Sequence, residues 1–135
     1  MGISITDAAY VAGLFDGEGS VYLKRMDQMK HKRPGKPVHK VWVVRMEMAM
    51  TDKEVIKWCY ELFGCGSFGE RKVKSGYKRQ WRWRVSHRDA LYVAKILWPY
   101  AQVKLHKIEQ IIDHYDPEYS DHNVVSLEDY RNEKR

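Results

Sequence analysis

Tyr10-Val11-Ala12-Gly13-Leu14-Phe15-Asp16-Gly17-Glu18-Gly19-Ser20 joins a run of small and apolar residues to two carboxylates set among glycines. Ala8 and Ala12, and Ala9 and Gly13, stand four apart, so each pair lies on one face of a helix. Small residues on one face let a second backbone come close. Ordinary core packing tolerates alanine but gains little from an interior glycine, which costs about 1 kcal/mol against alanine. Asp16-Gly17-Glu18-Gly19 is then expected to end the helix, its glycines taking backbone conformations that other residues resist. The two acids fit a catalytic or metal-binding end of the helix, but such a pair in a glycine turn, taken alone, is more often structural. A calcium loop starting at Asp16 is excluded, because Val21 stands where such a loop needs glycine and Asp27 where it needs a closing glutamate.

Outward from this stretch the chain reads as alternating helices and hairpins. Ser4, Thr6 and Asp7 offer caps for a helix running to about Phe15. Strands are predicted at about Ser20 to Arg25 and Val41 to Met48, with a long basic loop of Lys, Pro, Gly and His between them. Thr51-Asp52-Lys53-Glu54 reads as a capping box, with Val55, Trp58, Cys59, Leu62 and Phe63 at helical spacing and Gly64 as the stop. Strands at Ser67 to Lys74 and Lys78 to Ser86 follow, joined around Ser75-Gly76. Ser86-His87-Arg88-Asp89 resembles a second capping box, ahead of a helix with Ala90, Val93, Ala94, Leu97 and Trp98 on one face. A last helix is predicted from about Lys104 to Tyr115, before Asp116-Pro117. The order α-ββ-α-ββ-α-α predicts an α+β fold with both hairpins in one four-stranded antiparallel sheet. Residues 1–117 form the domain and 118–135 a polar C-terminal tail.

The chain of 135 residues is 44% hydrophobic and 31% charged, enough for one domain with a real core. No apolar run has the length of a membrane span, and the N-terminus lacks the pattern of a signal peptide. A cytoplasmic, nucleoid-associated or organellar protein is therefore expected, neither secreted nor bound to a membrane. Cys59 and Cys65 suggest neither a disulfide frame nor a zinc site. The net charge of +6 is concentrated: Lys24–Lys40 and Gly69–Arg84 each carry seven of the 24 Lys and Arg residues, against one acid apiece. Both windows fall on hairpins. In Gln80-Trp81-Arg82-Trp83-Arg84-Val85, alternation sends Trp81, Trp83 and Val85 one way and Gln80, Arg82 and Arg84 the other. One sheet face is thus core, and the opposite face has the charge of a polyanion-binding surface. Trp42, Trp58, Trp83 and Trp98 are phased for the core.

Val11-Ala12-Gly13-Leu14-Phe15-Asp16-Gly17-Glu18-Gly19 resembles the motif that names the LAGLIDADG homing endonucleases. The resemblance runs from about Thr6 to Tyr115. It takes in the element order, the Gly64-Cys65-Gly66 turn and the Trp98-Pro99-Tyr100-Ala101-Gln102-Val103-Lys104 segment. A single copy of the motif is similar to the members that act as homodimers. The resemblance implies a homing-endonuclease-like core, helices on one side of the sheet and a DNA-binding saddle on the other. It further implies a homodimer that cuts double-stranded DNA at a long pseudopalindromic site with Mg²⁺ or another divalent cation, and no other small-molecule cofactor. The implied catalytic residues are Glu18 and Lys104, with Glu18 and Gly17 at the metal. The implied dimer contacts are Ala9, Ala12, Gly13 and Asp16. The implied DNA contacts are Tyr22, Lys24, Arg45, Glu47, Arg71, Lys72, Arg79, Gln80, Arg82 and Arg84. Met50 stands where the family often has a glutamine that organises water, which keeps a second reading in play. That reading is a non-cleaving relative, either an intron RNA splicing helper or a DNA-binding regulator. A basic, monomeric interaction domain with no use for metal is the third.

Overall fold

Ser4 Oγ accepts the N–H of Asp7 at 3.1 Å and so starts helix α1, Ile5–Glu18. The computed structural model describes residues 2–27, 35 and 39–119. Strands β1 (Gly19–Asp27) and β2 (Lys40–Met50) follow, then α2 (Lys53–Phe63), β3 (Ser67–Arg71), β4 (Gln80–Ser86), α3 (Arg88–Leu97) and α4 (Leu105–Tyr115). Most of the basic loop between β1 and β2, and the tail from residue 120, lie outside the described residues.

Helix α1 is three residues longer than its pattern suggests. Asp16, Gly17 and Glu18 are all helical, and β1 begins at the next residue. Neither Gly17 nor Gly19 has a positive φ, so the glycines do not end the helix through special dihedrals. Gly19 is needed for space instead: a Cβ there would overlap the buried Phe15 ring. Its N–H still bonds back to the Phe15 carbonyl, which lets the chain leave the helix directly into the strand.

The four strands form one antiparallel sheet in the order β1-β2-β4-β3. Pairing Met46 with Val85 and Met48 with Trp83 places those four side chains on one face, with Val44, under the helices. Each fully buried side chain of this size contributes roughly 1.5–3 kcal/mol. Phe15, Ile56, Leu97, Ile108, Ile111 and Ile112 close the same core from the helices. Cys59 is buried among them, and burial pushes its thiol up to about 12. In the other phase Arg45, Glu47 and Ala49 of β2 stand opposite Ser86, Arg84 and Arg82 of β4 on the helix-free face.

Several local expectations change. Asp52, rather than Thr51, caps α2, accepting the Val55 N–H at 3.2 Å. His87, and not Ser86, is the N-cap of α3, with φ 54° and no side-chain cap, and its N–H donates to the Val44 carbonyl at 2.8 Å. Ile56, which the apolar pattern passes over, is fully buried, while Val55 and Trp58 are only half-buried. Trp42 has the core phase but is 46% exposed, since the helices do not reach that end of β2 beyond His114, whose ring lies 4.9 Å away. Strand β3 stops at Arg71 and β4 starts only at Gln80, so the second hairpin is shorter than predicted.

The turn from α2 into β3 has a second strict steric requirement, set by backbone as well as side chain. Gly66 has φ +88°, and a Cβ there would overlap the Arg84 carbonyl oxygen and crowd Val85 Cγ1 at 2.7 Å. Beside it Trp83 Nε1 donates to the Cys65 carbonyl at 3.0 Å. Gly76 has a similar φ of +92° with open space around it. Gly66→Ala should therefore cost about 3 kcal/mol in urea unfolding, and Gly76→Ala only about 1 kcal/mol. Equal losses would show that strain in the dihedral, and not crowding, sets the requirement at residue 66.

Candidate active site and nucleic-acid interface

Glu18 is the last residue of α1, and its exposed side chain lines a polar pocket of about 300 Å³. Ser20, Glu47, Ala49, Arg71 and Gln80 form the rest of the wall. The strand period explains this set. Ser20 faces Glu47 across β1 and β2, and Arg71 faces Gln80 across β3 and β4. Arg71 Nη1 donates to Gln80 Oε1 at 3.3 Å, which orients both side chains at the pocket's far side. Helix end and sheet face thus meet in one place, with a carboxylate on one wall and a guanidinium on another.

Asp16 performs a different task. Its Oδ2 accepts the Gln102 N–H and its Oδ1 the Lys104 N–H, each at 2.9 Å. The carboxylate is therefore engaged within its own chain. Lys104 is half-buried at the start of α4 and is not among the residues lining the Glu18 pocket. What links it to that pocket is this backbone bond, two residues before Glu18.

Ala12 is fully buried in its own core beside Val11 and Phe15, so it cannot be a contact for a second chain. The implied interface shifts by one helix face. Ala9 is half-buried, Gly13 and Gly17 are exposed, and nothing lies within 4 Å of where a Cβ on either glycine would stand. These three residues are spaced by four along α1 and form one open, small-residue stripe.

The helix-free face carries Tyr22, Lys24, Arg45, Glu47, Arg82 and Arg84, with Arg71 and Gln80 at its β3 side. The Arg45 guanidinium lies over the Tyr22 ring, 5.4 Å from its centroid. Glu47 Oε1 accepts from Arg84 Nη2 at 3.0 Å and lies 3.3 Å from Arg82 Nε, so one acid holds two arginines in place. Arg79 is not on this face. It forks onto Glu70 at 2.7 and 2.9 Å and lies 5.3 Å from the Trp81 ring centre, on the helix side of the sheet edge. Those hydrogen bonds hold the Glu70 carboxyl below its usual range. Lys72 is exposed just past the end of β3.

Met50 packs against the core, paired with Trp81, so its side chain does not occupy a polar position in the site. Glu47 and Ala49 are the β2 residues in the pocket, and the glutamine there is Gln80, from another strand. Sequence spacing alone did not bring Ser20, Glu47 and Gln80 together with Glu18. The register across three strands does.

The donor set suits a hard divalent cation, being carboxylate, hydroxyl and carboxamide oxygens without thiol or imidazole. Among the described residues no group of three His, Cys, Asp or Glu side chains converges to enclose a metal ion. No helix among the described residues is long and apolar enough to cross a membrane.

The charge on the open face is testable with a generic polyanion. Arg82→Gln should elute from heparin at lower salt and lower the salt slope of binding by roughly one. Lys57→Gln, which removes the same charge from helix α2, should leave elution unchanged. Glu47→Gln should elute later. Equal shifts for Arg82→Gln and Lys57→Gln would mean that net charge alone governs the binding.

No protein-family model matches the chain, and neither does any curated protein. Solved structures do match. The homing endonuclease I-CvuI, in complex with the I-CreI target, aligns with TM-score 0.63 and 17% identity over 80% of this chain and 64% of its own. The archaeal intron-encoded homing endonuclease I-Vdi141I, complexed with DNA, aligns with TM-score 0.60 and 16% identity over 80% and 65%. The homing endonuclease I-TnaI aligns with TM-score 0.57 and 17% identity over 96% and 86%. The chain thus spans just under two thirds of the length of the first two. The LAGLIDADG homing endonuclease I-LtrWI, bound to target DNA, aligns over 98% of this chain with TM-score 0.57 and 17% identity. An acid-tipped helix feeding directly into a four-stranded sheet, with helices on one side only, gives this chain the fold of the LAGLIDADG homing endonucleases.

Proposed function

We propose that the chain is a site-specific DNA endonuclease that acts as a homodimer, hydrolysing phosphodiesters of duplex DNA at a long pseudopalindromic site with Mg²⁺ or another divalent cation. The observation that carries this reading is the shared pocket: Glu18, a carboxylate at a helix end, opens among Arg71, Gln80 and Ser20 on a cationic sheet face. A face that binds the DNA backbone and an acid that holds a metal have separate explanations when apart. In one pocket they describe a nuclease. The neighbours' DNA complexes support the same partner.

The roles divide by element. Glu18, with the Gly17 carbonyl beside it, would hold the cation against the scissile phosphate. Bound there, the cation supplies charge stabilisation on the phosphate oxygens. Ser20 and Gln80 can orient water by hydrogen bonding, and Lys104 adds positive charge near the leaving group. Lys24, Arg45, Arg71, Lys72, Arg82 and Arg84 grip phosphates or guanine edges, and Tyr22 supports Arg45. Glu47 is the acid of this face and fixes the planes of Arg82 and Arg84.

One Glu18 per chain cannot serve two strands. A second copy would supply the other carboxylate, with the open Ala9, Gly13 and Gly17 stripe as the surface on which two α1 helices would approach closely. Two Glu18 carboxylates would then meet at the seam of a continuous, two-sheet DNA surface.

Incubation with a genomic DNA pool should yield double-strand cuts in Mg²⁺ and none in EDTA. Glu18→Gln should lower cutting at least a hundredfold with duplex affinity retained. Tight binding without cutting by the native protein would sink the hydrolytic reading in favour of a DNA-binding regulator or an RNA splicing helper. Gly13→Leu should convert the dimer to a monomer in sedimentation without loss of helical signal. A native protein that is monomeric on its DNA would exclude the paired arrangement.

A further inference from the structure

The last turn of α1 carries two acids where the helix macrodipole disfavours negative charge. Glu18 has the cation site to explain it. Asp16 has another partner, far away in the chain. Its oxygens take the N–H groups of Gln102 and Lys104, and a second Gln102 contact measures 3.2 Å. Helix α4 begins at Leu105 with Lys104 at its N-cap, and no side chain of that segment caps it. Asp16 binds the N–H groups of the turn that leads into α4, those of Gln102 and of the N-cap Lys104, and so fixes the entry to that helix from outside. The same dipole argument that opposes Asp16 at the end of α1 favours it at the start of α4.

We infer that Asp16 is a positioning residue: it pins the Lys104 backbone to the motif helix and so sets the Lys104 ammonium against the phosphate held at Glu18. This rests on the nuclease reading above. A lysine places its charge at the end of a flexible four-carbon stem, so the anchor of its backbone decides where that charge can dwell. The segment has independent support on its other side, where Trp98, Ala101 and Leu105 are buried and Trp98 Nε1 donates to Glu109 at 3.1 Å. Loss of Asp16 therefore releases the Lys104 end of the turn while the core beneath it stays packed.

The test uses the full chain as its DNA-bound dimer, with single-turnover cleavage of a mapped site in Mg²⁺. Asp16→Asn should lower the cleavage rate about tenfold to a hundredfold, the scale of a misplaced catalytic group. Duplex affinity in EDTA should stay within about twofold. Amide hydrogen exchange at Gln102 and Lys104 should quicken in Asp16→Asn, a readout independent of activity. In a Lys104→Met background, Asp16→Asn should add little further loss, because both changes remove one function. Losses that multiply in the double variant, or a full cleavage rate in Asp16→Asn despite faster exchange, would overturn the proposal. Should the native protein cut while Lys104→Met also cuts at full rate, the positioning role falls and the nuclease reading stands. If the native protein cuts no DNA, that reading falls and takes this one with it.

Discussion

Helix α1 passes into strand β1 with no residue between them, and the contact of the Phe15 ring with Gly19 makes that junction possible. Any side chain at residue 19 would displace Phe15 from the core or push the strand off the helix end. The junction places Glu18 at the rim of the sheet without a loop, so the acid is held as rigidly as the elements it joins. The stripe Ala9, Gly13 and Gly17 lies on the same helix, on the side away from the core. A single helix thus carries the core contact, the open face and the acid, each on a different side.

The sheet obeys a simple division. The alternation in β2 and β4 sends Met46, Met48, Trp83 and Val85 inward, and Arg45, Glu47, Arg82 and Arg84 outward. Helices cover only the first set, so the second can collect charge while staying partly open to solvent. A face so cationic repels itself, and Glu47 offsets part of that by bridging Arg82 and Arg84 at 3.3 and 3.0 Å. At an exposed sheet the bridge adds little stability. Its effect is on orientation, since it limits how far each guanidinium can swing.

Most of the fold was legible in the sequence because its periodicities are strong and its breaks sharp. The helices α2, α3 and α4 fall close to their apolar repeats, and the two strand phases around Trp83 and Val85 assign the faces correctly. The errors have physical causes. Trp42 was phased for the core but lies past the helices that would cover it. Arg79 sits just before β4, so its phase sends it to Glu70 on the other face. Met50 shares the phase of Met46 and Met48, and so belongs to the core and not to the site. Ala12 turned inward because the helix face it shares with Ala8 is the one that packs on α3 and the sheet.

By itself the sequence determined the element order, the amphipathic faces, the concentration of charge on two hairpins and the acid-bearing end of the first helix. These are properties of neighbours along the chain, set by repeats of two and of about 3.6 residues. The tertiary structure alone decided that Glu18 shares a pocket with Gln80 and Arg71, and that Asp16 binds the backbone of Lys104. It also decided that Glu47 serves two arginines. Each of these depends on strand register or on helix packing between residues far apart in the chain. A shift of one residue in pairing would exchange every face of the sheet, and local sequence carries no record of which register the packed core selects.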